Sequence, residues 1–287
     1  MPTLITKYMK SYFMLLRRST KLLVGVIILL AVVLFSVLGM ILYPLNPRAM
    51  LFKDLQPPSL QNPLGTDVFG RDVLAQLIHG TYNSLRIGII AGLIATLIGV
   101  VIGVTAGYVG GIVDEALNLI TNAFLVIPTL ALLIVIASYI KVRSELVMVM
   151  IIGLTSWPWA VRSIRAQVYS LRAREFVDLA KLSGLSTFEI MFLEVLPNML
   201  SYVVMCFVLQ MSGAILSEAG LSAIGLGPTA LVTLGMMLRW VLVWGAQRYG
   251  AWWWFLPPGI MITVVTLAFL LINSGLDELY NPRLRRR

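Results

Sequence analysis

The sequence predicts an all-α integral membrane protein with six transmembrane helices and both termini on the cytoplasmic side. Three observations predict it. The 287 residues are 59% hydrophobic and only 12% charged, about half the charge of an ordinary soluble domain. Six stretches of crossing-like apolar character contain no Asp, Glu, Lys or Arg. Fourteen of the twenty-two Lys and Arg fall in three regions that six crossings bring to one side.

A helix needs about 20 apolar residues to traverse the ~30 Å hydrocarbon core. Residues 22–47, 87–113, 116–140, 195–217 and 249–276 reach that length without a charge. Residues 146–161 fall short, and this fourth crossing is expected to run past Arg162, whose long side chain can snorkel to the headgroups. The basic residues then set the orientation. Lys7, Lys10, Arg17, Arg18 and Lys21 precede crossing one; Arg162, Arg165, Arg172, Arg174 and Lys181 separate crossings four and five; Arg283, Arg285, Arg286 and Arg287 close the chain. The positive-inside rule makes their side cytoplasmic. The net charge of +9 thus reads as a topology signal and excludes no-membrane readings such as nucleic-acid binding.

The basic stretch before residues 22–43 resembles the start of a signal peptide. The apolar run is too long for one and no small-residue cleavage pattern follows it, so a retained first crossing is expected. The lone cysteine, Cys206, excludes an internal disulfide or a cysteine metal site and is expected to fill space. Ala95, Gly99, Gly103 and Gly107 recur every fourth residue along crossing two, a stripe on which a neighbouring helix can approach closely. His79 has no metal-ligating companions at useful spacing and reads as a surface or capping residue. Five of the seven Trp residues fall in the external segment before crossing six, either as an interfacial aromatic belt or as stacking surfaces of an outer vestibule.

One charged stretch interrupts the apolar chain, "EFVDLAKLSGLSTFEIMFLEVLPN", residues 175–198. Phe176, Leu179, Ala180 and Ser183 share a helical face before Gly184, and Phe188, Met191, Phe192 and Val195 share one after it. Ser186 or Thr187 can cap the second helix, Gly184 permits the left-handed backbone that ends the first, and Pro197 is expected to mark the bend into crossing five. The prediction is two short amphipathic helices in a cytoplasmic loop.

"EFVDLAKLSG…VLP" resembles the EAA loop of binding-protein-dependent ABC importer permeases. Asp178, Leu179 and Ala180 stand at the Glu-Ala-Ala positions, with Gly184 and Leu196-Pro197 at the family's spacing. Asp replaces Glu, Leu replaces the first Ala, and Glu194 holds an aliphatic position. "NPLGTDVFGRDVLAQLIHGTYNSLRIG", residues 62–88, is similar to the segment before crossing two in one permease subunit of dipeptide and oligopeptide importers. "AILSEAGLSAIGLG", residues 214–227, is similar to that family's end of crossing five. The resemblance runs from Thr20 to Arg283 and thins between Val232 and Pro258.

The resemblance implies the type I ABC importer permease fold. It divides the chain into residues 1–60, holding the tail, the first crossing and the start of an external loop, and residues 61–287, the transporter transmembrane domain. That domain holds an external pre-helix (62–83) and a cytoplasmic coupling loop (172–198). It implies that Glu175, Asp178, Leu179, Ala180, Gly184, Leu196 and Pro197 couple to an ATPase, and that Gly65, Thr66, Asp67, Gly70, Arg71 and Asp72 serve the external segment that meets a binding protein. Asp67 is expected to cap the pre-helix, with Arg71 on the following turn. The implied partners are a homologous second permease, one or two cytoplasmic ABC ATPases, an extracytoplasmic substrate-binding protein and the bilayer. ATP and Mg would be used by the ATPases, because this chain has no phosphate-binding loop of its own and needs no cofactor. The substrates implied are di- and oligopeptides, with oligosaccharides or nickel as alternatives.

An ion-coupled secondary transporter is the rival class, but it places ionisable residues or broken helices near the midplane, and the charge-free cores here disfavour it. A non-transporting scaffold would have no use for the charged loop. Within the crossings, the polar side chains Asn118, Asn122, Gln210, Ser212 and Glu218 are the candidates to line a solute path, since polar atoms must replace water there.

Overall fold

The computed structural model describes residues 19–280, so the tail residues of the orientation argument, Lys7 to Arg18 and Arg283 to Arg287, lie outside the described residues. In chain order the helices are α1 (Thr20–Leu42), α2 (Val73–Val109), α3 (Gly111–Val126), α4 (Thr129–Tyr139), α5 (Glu145–Thr155), α6 (Trp157–Arg172), α7 (Glu175–Leu182) and α8 (Thr187–Glu189). A π-helical turn (Ile190–Val195), α9 (Leu196–Asn198), α10 (Leu200–Ala223), α11 (Leu234–Trp244), a 3-10 turn (Ala246–Tyr249) and α12 (Trp252–Tyr280) follow.

Five helical stretches are long and apolar enough to cross a membrane: Thr20–Leu42, Val73–Val109, Glu145–Arg172, Leu200–Ala223 and Trp252–Leu279. The pair α3 and α4, bent by 84° at a short break, is apolar enough to make a sixth crossing when the two are taken as one span. Pro128 explains the break, because it has no N–H and drives Ile127 into extended backbone (φ −78, ψ 125). The fourth crossing runs past Arg162 to Arg172, as its shortness required. The pre-helix and crossing two are not separate elements. They form the single 37-residue helix α2.

The chain divides into two compact units, residues 1–83 with 232–287 and residues 84–231. In the first unit α1 packs antiparallel on α12 through glycines. A Cβ on Gly25 would sit 2.8 Å from the Ala268 carbonyl, and one on Gly275 would sit 2.4 Å from the Leu22 nitrogen, so the backbones touch. Ser19 donates to Glu278 Oε2 at 2.7 Å, and Lys21 pairs with Glu278 at 2.5 Å.

In the second unit the small-residue stripe does what its spacing predicts. A Cβ on Gly99 would meet Ala160 at 2.5 Å, and one on Gly107 would meet the Arg165 carbonyl at 2.8 Å, so α6 lies directly on α2. Ala95 is buried in the same stripe. Bidentate ion pairs tie neighbouring elements: Arg86 with Glu145, through an Nε–Oε1 contact of 2.6 Å, and Arg165 with Asp114, at 2.5 and 2.6 Å. Cys206 is buried among Val100, Ile164 and Val195 and fills space.

Candidate coupling hairpin, external knot and cavity

The charged stretch folds as a hairpin of helices. Glu175 and Asp178 occupy the first turn of α7, where the helix dipole favours acids, and Lys181 the last. Asp178 also pairs with Lys181 at 3.0 Å. The helix ends in a Schellman motif: the Leu185 N–H donates to the Ala180 carbonyl at 3.2 Å and the Gly184 N–H to the Lys181 carbonyl at 3.0 Å. Gly184 takes φ +79, the left-handed conformation its position demands. A capping box restarts the chain. Ser186 Oγ accepts from the Glu189 N–H while the Ser186 N–H donates to Glu189 Oε2 at 2.8 Å. Hydrogen bonds from the Ser186 hydroxyl and amide hold the Glu189 carboxyl below the usual carboxylate range.

Three expectations are corrected here. The second arm is not a short separate helix: α8 passes through a π-helical turn into α9, and the chain remains helical through Pro197. The bend into α10 falls at Met199 (φ −119, ψ 11), two residues later than expected. Pro197 sits at the start of α9, where a missing N–H is tolerated. The inward face of α7 is also different from the one the spacing suggested. Val177 and Ala180 are buried, together with Ile190, Met191, Val195 and Met199, in one core with Val100, Val104, Tyr108, Ile164 and Val168. Leu179 instead points outward, 63% exposed, and Leu182, Phe188 and Leu193 are exposed as well. Leu196 is half-buried against the core, and Glu175, Asp178, Gly184 and Pro197 are on the surface. The hairpin is therefore welded to the membrane helices on one side and presents apolar and acidic groups on the other.

The external motif forms a knot in the first unit. Asp67 does not cap α2. Its Oδ1 accepts from the Phe69 and Arg71 amides at 2.8 and 3.0 Å, and its Oδ2 from Arg71 Nε at 2.6 Å and Gln76 Nε2 at 2.8 Å. Asp72 is the cap, accepting from the Ala75 amide at 2.7 Å. The other oxygen of Asp72 accepts from the Tyr43 hydroxyl at 3.0 Å and from Asn62 at 2.8 Å. Burial and this carboxylate push the Tyr43 phenol up to about 12. The Arg71 guanidinium lies 4.0 Å from the Trp240 ring centroid and 4.6 Å from that of Phe69. Thr66 donates to the Lys53 carbonyl at 2.7 Å, and Gly65 and Gly70 let the backbones of Gln56 and Phe52 approach where no Cβ would fit. Gly65, Thr66, Asp67, Gly70, Arg71 and Asp72 are all buried. They hold this segment together from within, so a binding-protein contact through their own side chains, as the resemblance implied, is not what their burial offers.

Of the five polar path candidates, one lines a cavity. Gln210 (8% exposed) donates to the Ser156 carbonyl at 2.8 Å and faces a cavity of about 180 Å³ beside the α3–α4 break, with Thr129, Thr155, Ser156, Trp159 and Ser217. Ser212 and Glu218 are buried elsewhere in the unit, and Glu218 is held by Ser84 at 3.2 Å and Ser222 at 2.6 Å. That carboxylate ties α10 to α2. Asn118 is half-buried and Asn122 exposed on α3. Sequence reasoning missed Thr129, Thr155 and Ser217. Their signal was present in Pro128, since a helix broken inside a crossing gathers polar side chains about its loose ends.

Comparison with known proteins places this geometry. The family described as "Binding-protein-dependent transport system inner membrane component" matches residues 99–286. The chain is 32% identical to the dipeptide transport system permease protein DppC of Haemophilus influenzae over 97% of its own length and 96% of that protein's. It is 30% identical to DppC of Alkalihalophilus pseudofirmus, covering 95% of this chain and 89% of that one. Its fold matches a chain of the MetNI methionine ABC transporter, solved in inward-facing conformations, with a TM-score of 0.55 at 18% identity over 72% of this chain and 97% of the other. The chain belongs to the family of binding-protein-dependent transport system inner membrane components and is a multi-pass permease subunit of the ABC importer type.

Proposed function

We propose that this permease, together with a homologous second permease, encloses a path for di- and oligopeptides handed over by an extracytoplasmic binding protein. One or two cytoplasmic ATPases bind its hairpin and supply ATP and Mg; the chain itself hydrolyses nothing. The observation that carries the coupling role is the two-sided hairpin. Its inner side shares a core with α2 and α6, while Leu179, Leu182, Phe188 and Leu193 are bare. A cluster of exposed apolar side chains in a charged loop is the signature of a docking surface. Movement of an ATPase bound there is passed to the crossings as rigid-body motion. Peptide as substrate rests on relatives at 30–32% identity that are named dipeptide transport permeases. The amide of Gln210 and the hydroxyls around it suit a peptide backbone, because they can exchange hydrogen bonds with its amides as water is left behind.

In this reading both termini and the hairpin lie in the cytoplasm, the side on which the basic residues are concentrated. Single cysteines at Ser59 and Ser186 in a Cys206→Ala background test this, both positions being exposed. Ser59 should react with an impermeant reagent only from outside, and reaction of both from one side contradicts the orientation. Proteoliposomes holding the permease pair, the ATPases and the binding protein should accumulate labelled peptide on addition of ATP. Accumulation of oligosaccharide or nickel in place of peptide overturns the substrate and leaves the architecture standing.

A further inference from the structure

The first unit contains an apolar groove. It has a volume of about 540 Å³ and is lined by α1 at Ile27, Ala31 and Phe35 and by α12 at Pro257, Ile260 and Val264, with Leu64 and Leu77 closing it. No lining residue has a polar side chain. The gap has a geometric origin. Two residues before Ile27, Gly25 brings α1 into backbone contact with Ala268 and Ile272 of α12. At the level of the groove the adjacent Pro257 and Pro258 remove two backbone donors from α12.

Both walls are membrane-crossing helices, so the groove opens onto hydrocarbon and not onto water. Its lips face outward: Ile27 is 55% exposed and Ile260 57%. An empty gap of this size would forfeit the dispersion contacts of its lining. The lining follows α1 only from Ile27 to Phe35, about 12 Å at 1.5 Å per residue, whereas a protein helix is itself about 10–12 Å across. A single hydrocarbon chain is thin and flexible enough to follow it.

We infer that this groove is a lipid site, which holds one acyl chain of a phospholipid from the leaflet on the Tyr43 and Trp252 side. The bound chain completes the packing of α1 against α12 where the glycine contact ends. It acts as a removable wedge that fixes the spacing of the peripheral helix pair.

The test uses the full-length chain in vesicles of phosphatidylethanolamine carrying a photoactivatable group on the acyl chain. Irradiation should label the segments 27–35 and 257–264 at least fivefold above the other lipid-facing positions, and the purified chain should retain one phospholipid in native mass spectrometry after detergent washing. Ala31→Phe, which places a ring in the groove, should abolish both signals. Ile41→Phe, at a lipid-facing position of α1 outside the lining, should leave both unchanged. Even labelling along all crossings, or retention unaffected by Ala31→Phe, overturns the site. So does capture of a protein segment in the groove in place of lipid.

Discussion

Gly184 allows the coupling hairpin to be tested by backbone strain alone. Its φ is +79, and a Cβ built on it meets nothing within 4 Å. A substitution there changes conformational energy without a clash inside the chain. For an ordinary L-residue the left-handed conformation costs about 1–2 kcal/mol, and Asn pays least because it visits that region routinely. A cost near 1.4 kcal/mol is about a tenfold loss in the population of the correctly folded turn. Strain therefore ranks function as Gly, then Asn, then Ala, then Val, with Gly184→Val about tenfold or more below wild type. A steric clash with a docked ATPase ranks it differently, with Ala above Asn. The assay is substrate-stimulated ATP hydrolysis in the reconstituted complex, with membrane insertion as the control. Stimulation that is normal in Gly184→Val, or better in Ala than in Asn, would refute the strain reasoning.

Other consequences follow from the remaining contacts. Asp67→Asn strips the charge partner from Arg71 in a pair that is 0% and 7% exposed, and loss of one member of a buried pair costs about 3–5 kcal/mol; thermal unfolding should shift down sharply, and an unchanged transition contradicts the knot. Gln210→Leu removes the donor to Ser156 and the amide beside the cavity, so transport should fall further than assembly with the second permease; equal losses mean that Gln210 only holds helices together. The Glu189 carboxyl is held below its ordinary value, so the capping box is fully formed above the normal carboxylate range and is lost as the pH falls through the lowered value. A spin label at Ser183 should gain mobility in that acid window in wild type but not in Glu189→Gln, and a flat profile in wild type rejects the linkage.

The crossings were legible because nothing but a membrane accounts for charge-free runs of that length, and the small-residue stripe from Ala95 to Gly107 named its own packing face. The turn at Gly184 and the cap at Ser186 were legible because each needs a particular residue type at a particular place. The inward face of α7 was not. Eight residues give only two turns of periodicity, and packing against Val100 and Ile164 selected Val177 and Ala180 over Leu179. Asp67 and Asp72 are chemically equal candidates for the cap, and only the reversal at Gly70, which turns Asp67 back onto Arg71, separates them. The cavity beside Gln210 joins residues from α3 to α10. Their meeting depends on an 84° bend that one proline announces but does not measure.

That bend has an electrical consequence. At the start of α4, Pro128 offers no side chain to the first amides of the helix, so Thr129, Leu130 and Ala131 begin it with unclaimed N–H groups at membrane depth. Hydrocarbon cannot serve them, and irregular backbone survives inside a bilayer only where it borders protein or water. The small cavity at this point, with Thr129, Thr155, Ser156, Gln210 and Ser217 in its lining, is roomy and polar enough to hold water. On the proposed path, a charged chain end passing a hydrated cavity would meet a higher local permittivity than hydrocarbon provides, and since the cost of moving an ion falls as permittivity rises, the steepest part of its climb would be broken into two lower steps.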